Sequence, residues 1–200
     1  MTYLVIGFLI VGGLVLYLTS CQNKSKANHK QVQSDTDSAN PKEYHTKTNT
    51  FNDLRAMAFS VTPEQLQLSL PADKTIVYGM IMDLEMSGAT ATIVSYQTGD
   101  ASIYLSSGGG VIGGGQHQNV NSAARQFVSL GQAYLNKGAK TVATDLPTTG
   151  QVKFYFLTNK GKFVGQENMK NLENNSSEWL KLFEGGDKVL TELRITTEKK

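Results

Sequence analysis

Two serines, six glycines and a histidine lie within the twelve residues from Ser106 to His117, in the order SSGGGVIGGGQH. Gly108, Gly110 and Gly113 satisfy the spacing G-x-G-x-x-G, and successive glycines can turn their backbone N–H groups toward an anion. In a dinucleotide site the third glycine lies in the opening turn of a helix, so that the pyrophosphate meets the helix N-terminus. Here Gly114 to Val120 intervene before helical periodicity begins, and no lysine follows the glycines as a phosphate loop requires. The expectation is therefore a glycine-rich hairpin or mobile loop at a sheet edge. An anion nest using Gly108, Gly110, Gly113 and His117 is the ligand-binding alternative, and a close-contact surface for a partner chain is the third. His117 is the only histidine after residue 50, and Ser106 and Ser107 could serve it as nucleophiles. No G-x-S-x-G elbow surrounds either serine and no local acid is placed to orient the ring, so a solvent-facing histidine is expected.

Asp83 and Glu85 alternate on one face of an extended segment and could act as a carboxylate pair or hold a cation. A solvated strand end is the simpler expectation. Met80, Met82 and Met86 alternate like core residues and read as gap-filling packing. His29 and His45 have no companion ligand at fixed spacing, so no metal is expected there. No cofactor is implied.

The net charge of +2 is unevenly placed. Residues 1–50 carry five lysines against three acids, and residues 51–200 carry 14 basic and 14 acidic side chains. A neutral body lacks the basic face that nucleic acid demands, which argues against that class of partner.

Met1 to Ser20 contains no charged side chain and is rich in Leu, Ile, Val and Phe. About 20 apolar residues cross a bilayer. Leu18-Thr19-Ser20-Cys21 resembles a bacterial lipobox, and cleavage before Cys21 would leave a thiol for lipid attachment outside the cytoplasm. A secretory signal begins with basic residues, however, and here the lysines follow the apolar stretch at 24, 26 and 30. That placement favours a retained transmembrane helix with the following domain in the cytoplasm. Cys21 is the only cysteine, so no intramolecular disulfide forms. Residues 21–50 are polar and aperiodic and read as a flexible linker.

The folded body is expected over residues 51–200. Thr62 and Pro63 open a short helix in VTPEQLQLSL. Residues 75–86, 89–97 and 101–107 alternate and are joined by tight turns, as in an antiparallel meander. Ala124, Phe127, Val128, Gly131 and Leu135 form a helical stripe, capped by Asn121 or Ser122. A hairpin follows in QVKFYFLTNKGKFVGQ. Asn175 with Glu178 reads as the cap of a helix ending at Gly185-Gly186, and DKVLTELRITT alternates as a last strand. The fold class is α+β, an antiparallel sheet of five to six strands with helices packed on one face.

This order resembles profilin-like and roadblock-type domains, which also place a helix between two antiparallel strand groups. FLTNKGKF and ENNSSEWLKLF resemble segments of uncharacterised bacterial membrane-anchored proteins, which implies anchoring and no particular activity. The expected function is a membrane-tethered, non-enzymatic binding or scaffolding domain for a protein partner. The alternative is a membrane-associated enzyme or ligand-binding domain with its site around Gly108–Gly115 and His117.

Overall fold

The computed structural model describes residues 50–198. The expected anchor or signal (1–20), Cys21, His29 and His45 lie outside the described residues. Among the described residues no helix is long and apolar enough to cross a membrane.

Helix α1 (Phe51–Ser60) opens on a capping box, in which the Thr50 hydroxyl accepts from Asp53 N and the Asp53 carboxylate accepts from Thr50 N. Seven antiparallel strands follow the order β4-β3-β2-β1-β6-β7-β5. Their bounds are β1 Val77–Met86, β2 Ala89–Tyr96, β3 Ala101–Leu105, β4 Gly110–Val111, β5 Ala139–Thr141, β6 Gln151–Thr158 and β7 Gly161–Asn168. Helix α2 (Gln118–Tyr134) carries the chain from one sheet edge to the other, the short α3 (Met169–Glu173) follows β7, and α4 (Leu180–Glu198) ends the described fold. The β1–β2 turn is a two-residue hairpin at Ser87 (φ 51°) and Gly88 (φ 90°), the left-handed pair that matches strand twist. The fold is thus α+β with an antiparallel sheet, and its strand count is seven where five to six were expected.

One sheet face carries α2 and α4, and contact there depends on missing side chains. A Cβ on Gly131 of α2 would run into Met80, and one on Gly186 of α4 would lie 2.6 Å from the sulfur of Met82. Both methionines are fully buried, as packing residues should be. Gly185 likewise faces Leu130 and Phe127 of α2. The expected helix stop at Gly185-Gly186 is therefore wrong: these glycines let α4 pass close over the sheet. The expected last strand belongs to the same helix. Val189, Leu190 and Leu193 are buried, a helical spacing continuing from Leu182 and Gly186, which the alternation of Val189, Thr191, Leu193 and Ile195 concealed. Asn175 does not cap this helix. It is left-handed (φ 54°), and Ser177 Oγ accepts from Trp179 N instead.

The opposite face is covered too, which corrects the expectation of helices on one face only. Ala58 of α1 packs with Tyr78, Ile81, Val94, Tyr96, Tyr104, Tyr155 and Leu157, and Phe51, Leu54 and Phe59 join it. The segment after α1 makes one turn on the Thr62 cap, then ends where Gln67 turns left-handed (φ 56°). Its leucines at 66, 68 and 70 all pack on the sheet. A period of two suits an extended strap, so the expected short helix does not form. Tyr78 joins this second face through a register shift between Val77 and Gly79, where β1 meets β6.

Trp179, the only tryptophan, stacks on Phe154 with centroids 5.6 Å apart and planes 7° apart. A Cβ on Gly165 of β7 would enter its ring, with Cζ3 at 2.7 Å. A stacked indole cannot retreat as a methionine tip can. Gly165→Ala is expected to destabilise the fold by about 1–3 kcal/mol. Urea unfolding followed by Trp179 fluorescence checks this, with a lower midpoint and an unchanged slope.

Candidate functional site

The glycine run forms the β3–β4 hairpin at the sheet edge and leads into α2. Gly108, Gly109 and Gly110 have φ of 101°, 84° and 150°, and Gly113 is left-handed at 72°. Leu105 N donates to Gly109 O, and Gly108 N donates to Leu105 O, closing the turn. A Cβ on Gly110 would strike the carbonyl of Ile103, while one on Gly113 would meet open space. Gly114 is buried beneath Leu193 of α4, and Gly115 lies against Asp100. The hairpin is therefore shaped by close approach on one side and by left-handed backbone on the other.

His117 is exposed and occupies the N-cap position of α2, which its side chain does not cap. The N-cap lies four residues before Asn121 and five before Ser122, the expected caps. Asn121 instead ties the loops together: its amide donates to Thr98 O and Gly115 O (both 3.3 Å), and its oxygen accepts from Arg125 Nε at 2.8 Å. Arg125 also donates to Thr98 O at 2.7 Å. Ser106 is occupied, because its hydroxyl accepts from Thr90 N at 2.7 Å and its own N–H donates to Thr90 O. Ser107 lies exposed at the hairpin turn.

Asp83 and Glu85 do not form a carboxylate pair, and Asp83 is not at a solvated strand end. Asp83 has no exposed surface, and Arg55 of α1 grips it: Nε lies 3.3 and 3.2 Å from its two oxygens and Nη2 lies 2.5 Å from Oδ2. Thr92 Oγ1, across the β1–β2 ladder, donates to Oδ1. The guanidinium carbon sits 4.7 Å from the Phe59 centroid and 5.8 Å from that of Tyr155, and those two rings meet edge to face. Glu85 has separate duties, accepting from Gly88 N and Gly150 N.

Four tyrosines lie in the core on the same face of the sheet. Tyr96 OH donates to Ala58 O and Tyr78 OH to Val61 O, satisfying carbonyls at the end of α1 that have no helical partner. Tyr155 OH donates to Asp145 O. Burial pushes the phenols of Tyr78, Tyr96 and Tyr104 upward, and burial with the nearby Asp83 charge pushes Tyr155 up to about 12. The arrangement binds polar groups to one another and leaves the carboxylate and guanidinium mutually neutralised.

Sequence reasoning missed Arg55. A signal was present: Phe51, Leu54, Ala58 and Phe59 make a helical apolar stripe with Arg55 on it, and Asp83 interrupts the otherwise apolar face of Gly79 and Ile81. Two charges on two apolar faces invite pairing, since an unpaired buried charge is prohibitively costly. Among the described residues no three His, Cys, Asp or Glu side chains gather where they could hold a metal ion.

The chain matches no family model, no curated protein and no solved structure. Four strands precede α2 and three follow it, and a helix ends the described fold.

Two predictions arise from this geometry. Gly110→Ala combines strained φ with a backbone collision and should lower stability more than Gly113→Ala, which meets only the left-handed penalty of about 1–2 kcal/mol. Thermal melts of both variants check the order, and ATP, GTP or NAD should leave every melting temperature unchanged, since a ligand bound only by the native state must raise it. The second concerns alkali. Phenols whose folded pKa lies above the unfolded value near 10 stabilise fully below that pH, and their contribution is lost as pH rises toward and through 12. Unfolding free energy should fall steeply above pH 10, and Tyr155→Phe should flatten that slope in parallel urea titrations.

Proposed function

We propose that this protein is a membrane-tethered, non-enzymatic domain that binds or scaffolds a protein partner. One observation carries the reading: an uncharged apolar segment from Met1 to Ser20 is followed by a polar linker and then by an electrically neutral folded body. The segment is long enough for a bilayer, and the lysines that follow it favour a cytoplasmic domain. Lipid attachment at Cys21 with the domain outside the cytoplasm is the competing form of the same tether.

The commitments of the polar side chains support the non-enzymatic reading. The hydroxyl of Ser106 is spent on the β2 backbone, Asp83 on Arg55, and Glu85 on two turn amides. A ligand-binding or catalytic reading centred on Gly108–Gly115 draws on one feature, the exposed His117 at the head of α2.

Carbonate extraction of cells expressing the full chain should leave it in the membrane pellet, with residues 51–200 alone in the supernatant. Cys21→Ser should remain in the pellet. Its release, together with lipid labelling of the wild type, would establish the lipoprotein form. A reporter fused after Lys200 should be active in the cytoplasm, and activity only outside would reverse the orientation. A wild-type chain that extracts freely ends the tether reading.

A further inference from the structure

We propose that α1 and the strap of residues 61–70 form a latch, which leaves the sheet as a unit without unfolding the layer of β-sheet, α2 and α4. The two faces of the sheet have separate partners. Met80 and Met82 point to α2 and α4, where Gly131 and Gly186 receive them, and Trp179 lies over Phe154 and Gly165. No residue of α1 or the strap takes part in those contacts. The latch packs instead on Ile81, Val94, Tyr96, Tyr155 and Leu157 of the other face.

The latch is lightly embedded. Within α1 only Arg55 and Ala58 are buried, while Phe51, Leu54, Phe59, Val61, Leu66, Leu68 and Leu70 are each half-buried. Beside the edge-to-face contact of Phe59 with Tyr155, its specific attachments are polar: Arg55 to Asp83, Tyr96 OH to Ala58 O, and Tyr78 OH to Val61 O. Each of these groups can exchange its partner for water when the latch lifts.

The ion pair makes the motion two-state. A buried pair has little net worth compared with hydrated charges, yet separating its members inside the protein is strongly unfavourable. A slipped α1 would strand Asp83, whereas a lifted α1 hydrates both charges. Lys153, opposite Asp83 on β6, is then the nearest cation along the ladder. The chain before Thr50 joins the fold through α1, so a pull from that side acts on the latch first.

Hydrogen–deuterium exchange of the full chain in detergent tests this. In the wild type, amides of 51–60 should be at least tenfold less protected than those of 152–157 in β6. Arg55→Ala should speed exchange over 51–60 by a further tenfold or more and leave 152–157 within twofold of wild type. Replacing both charges, Arg55→Met with Asp83→Leu, should return α1 protection toward the wild-type value, because neither charge is stranded. Equal protection of α1 and β6 in the wild type overturns the proposal. So does loss of β6 protection in Arg55→Ala, or failure of that variant to fold, since either makes α1 part of the same cooperative unit. A double variant whose α1 exchanges as fast as Arg55→Ala removes the ion pair from the mechanism.

Discussion

A carboxylate without exposed surface in the middle of the central strand sets the terms for one whole side of this protein. Asp83 sits between β2 and β6, and water cannot reach it. Removing an ion from water costs several kcal/mol even after relaxation, so a cation had to be brought to it. Arg55 meets that need from another element, and its planar fork addresses both carboxylate oxygens, Nε reaching Oδ1 and Nη2 reaching Oδ2. The position of α1 follows. With Arg55 over Asp83, Ala58 falls under the hydroxyl of Tyr96 and Phe59 falls against Tyr155. The strap then leaves α1 at Val61, where Tyr78 receives the next free carbonyl.

The other side obeys a steric rule instead of an electrostatic one. Met80 and Met82 rise from β1 into the space left by Gly131 and Gly186, so two helices approach one strand closely. Dense interiors tolerate little change in volume, and a glycine opposite a methionine is one way to obtain close contact. The same logic operates at Gly165, where the missing side chain makes room for an indole. Three glycines in ordinary helix or strand conformation thus act through shape, while those of the β3–β4 hairpin act largely through backbone freedom.

That hairpin belongs to the frame of the fold more than to any evident pocket. Its left-handed glycines reverse the chain after β3, and Gly114 and Gly115 press it against α4 and the β2–β3 turn. Asn121 and Arg125 then lock the head of α2 to that turn through Thr98 O. Ser106, Asn121 and Arg125 are engaged with backbone, and His117 remains exposed.

Local pattern in the sequence determined the meander, the α2 stripe, the second hairpin and the glycine turn, because strand alternation and helical periodicity are properties of neighbouring residues. It also carried the uncharged N-terminal segment and the neutral balance of the rest. Tertiary structure alone decided where the patterns were ambiguous. Leu66, Leu68 and Leu70 suit either a helix or a strap until a sheet lies beneath them, and Val189 to Ile195 alternates well enough to imitate a strand. Gly185-Gly186 ends a helix by local rules, but continues one where Met82 and Phe127 need the space. Asp83 read as a solvated residue because no cation lies within eight positions of it in the sequence. Its partner stands 28 residues away on a different element, and only folding brings the two charges together.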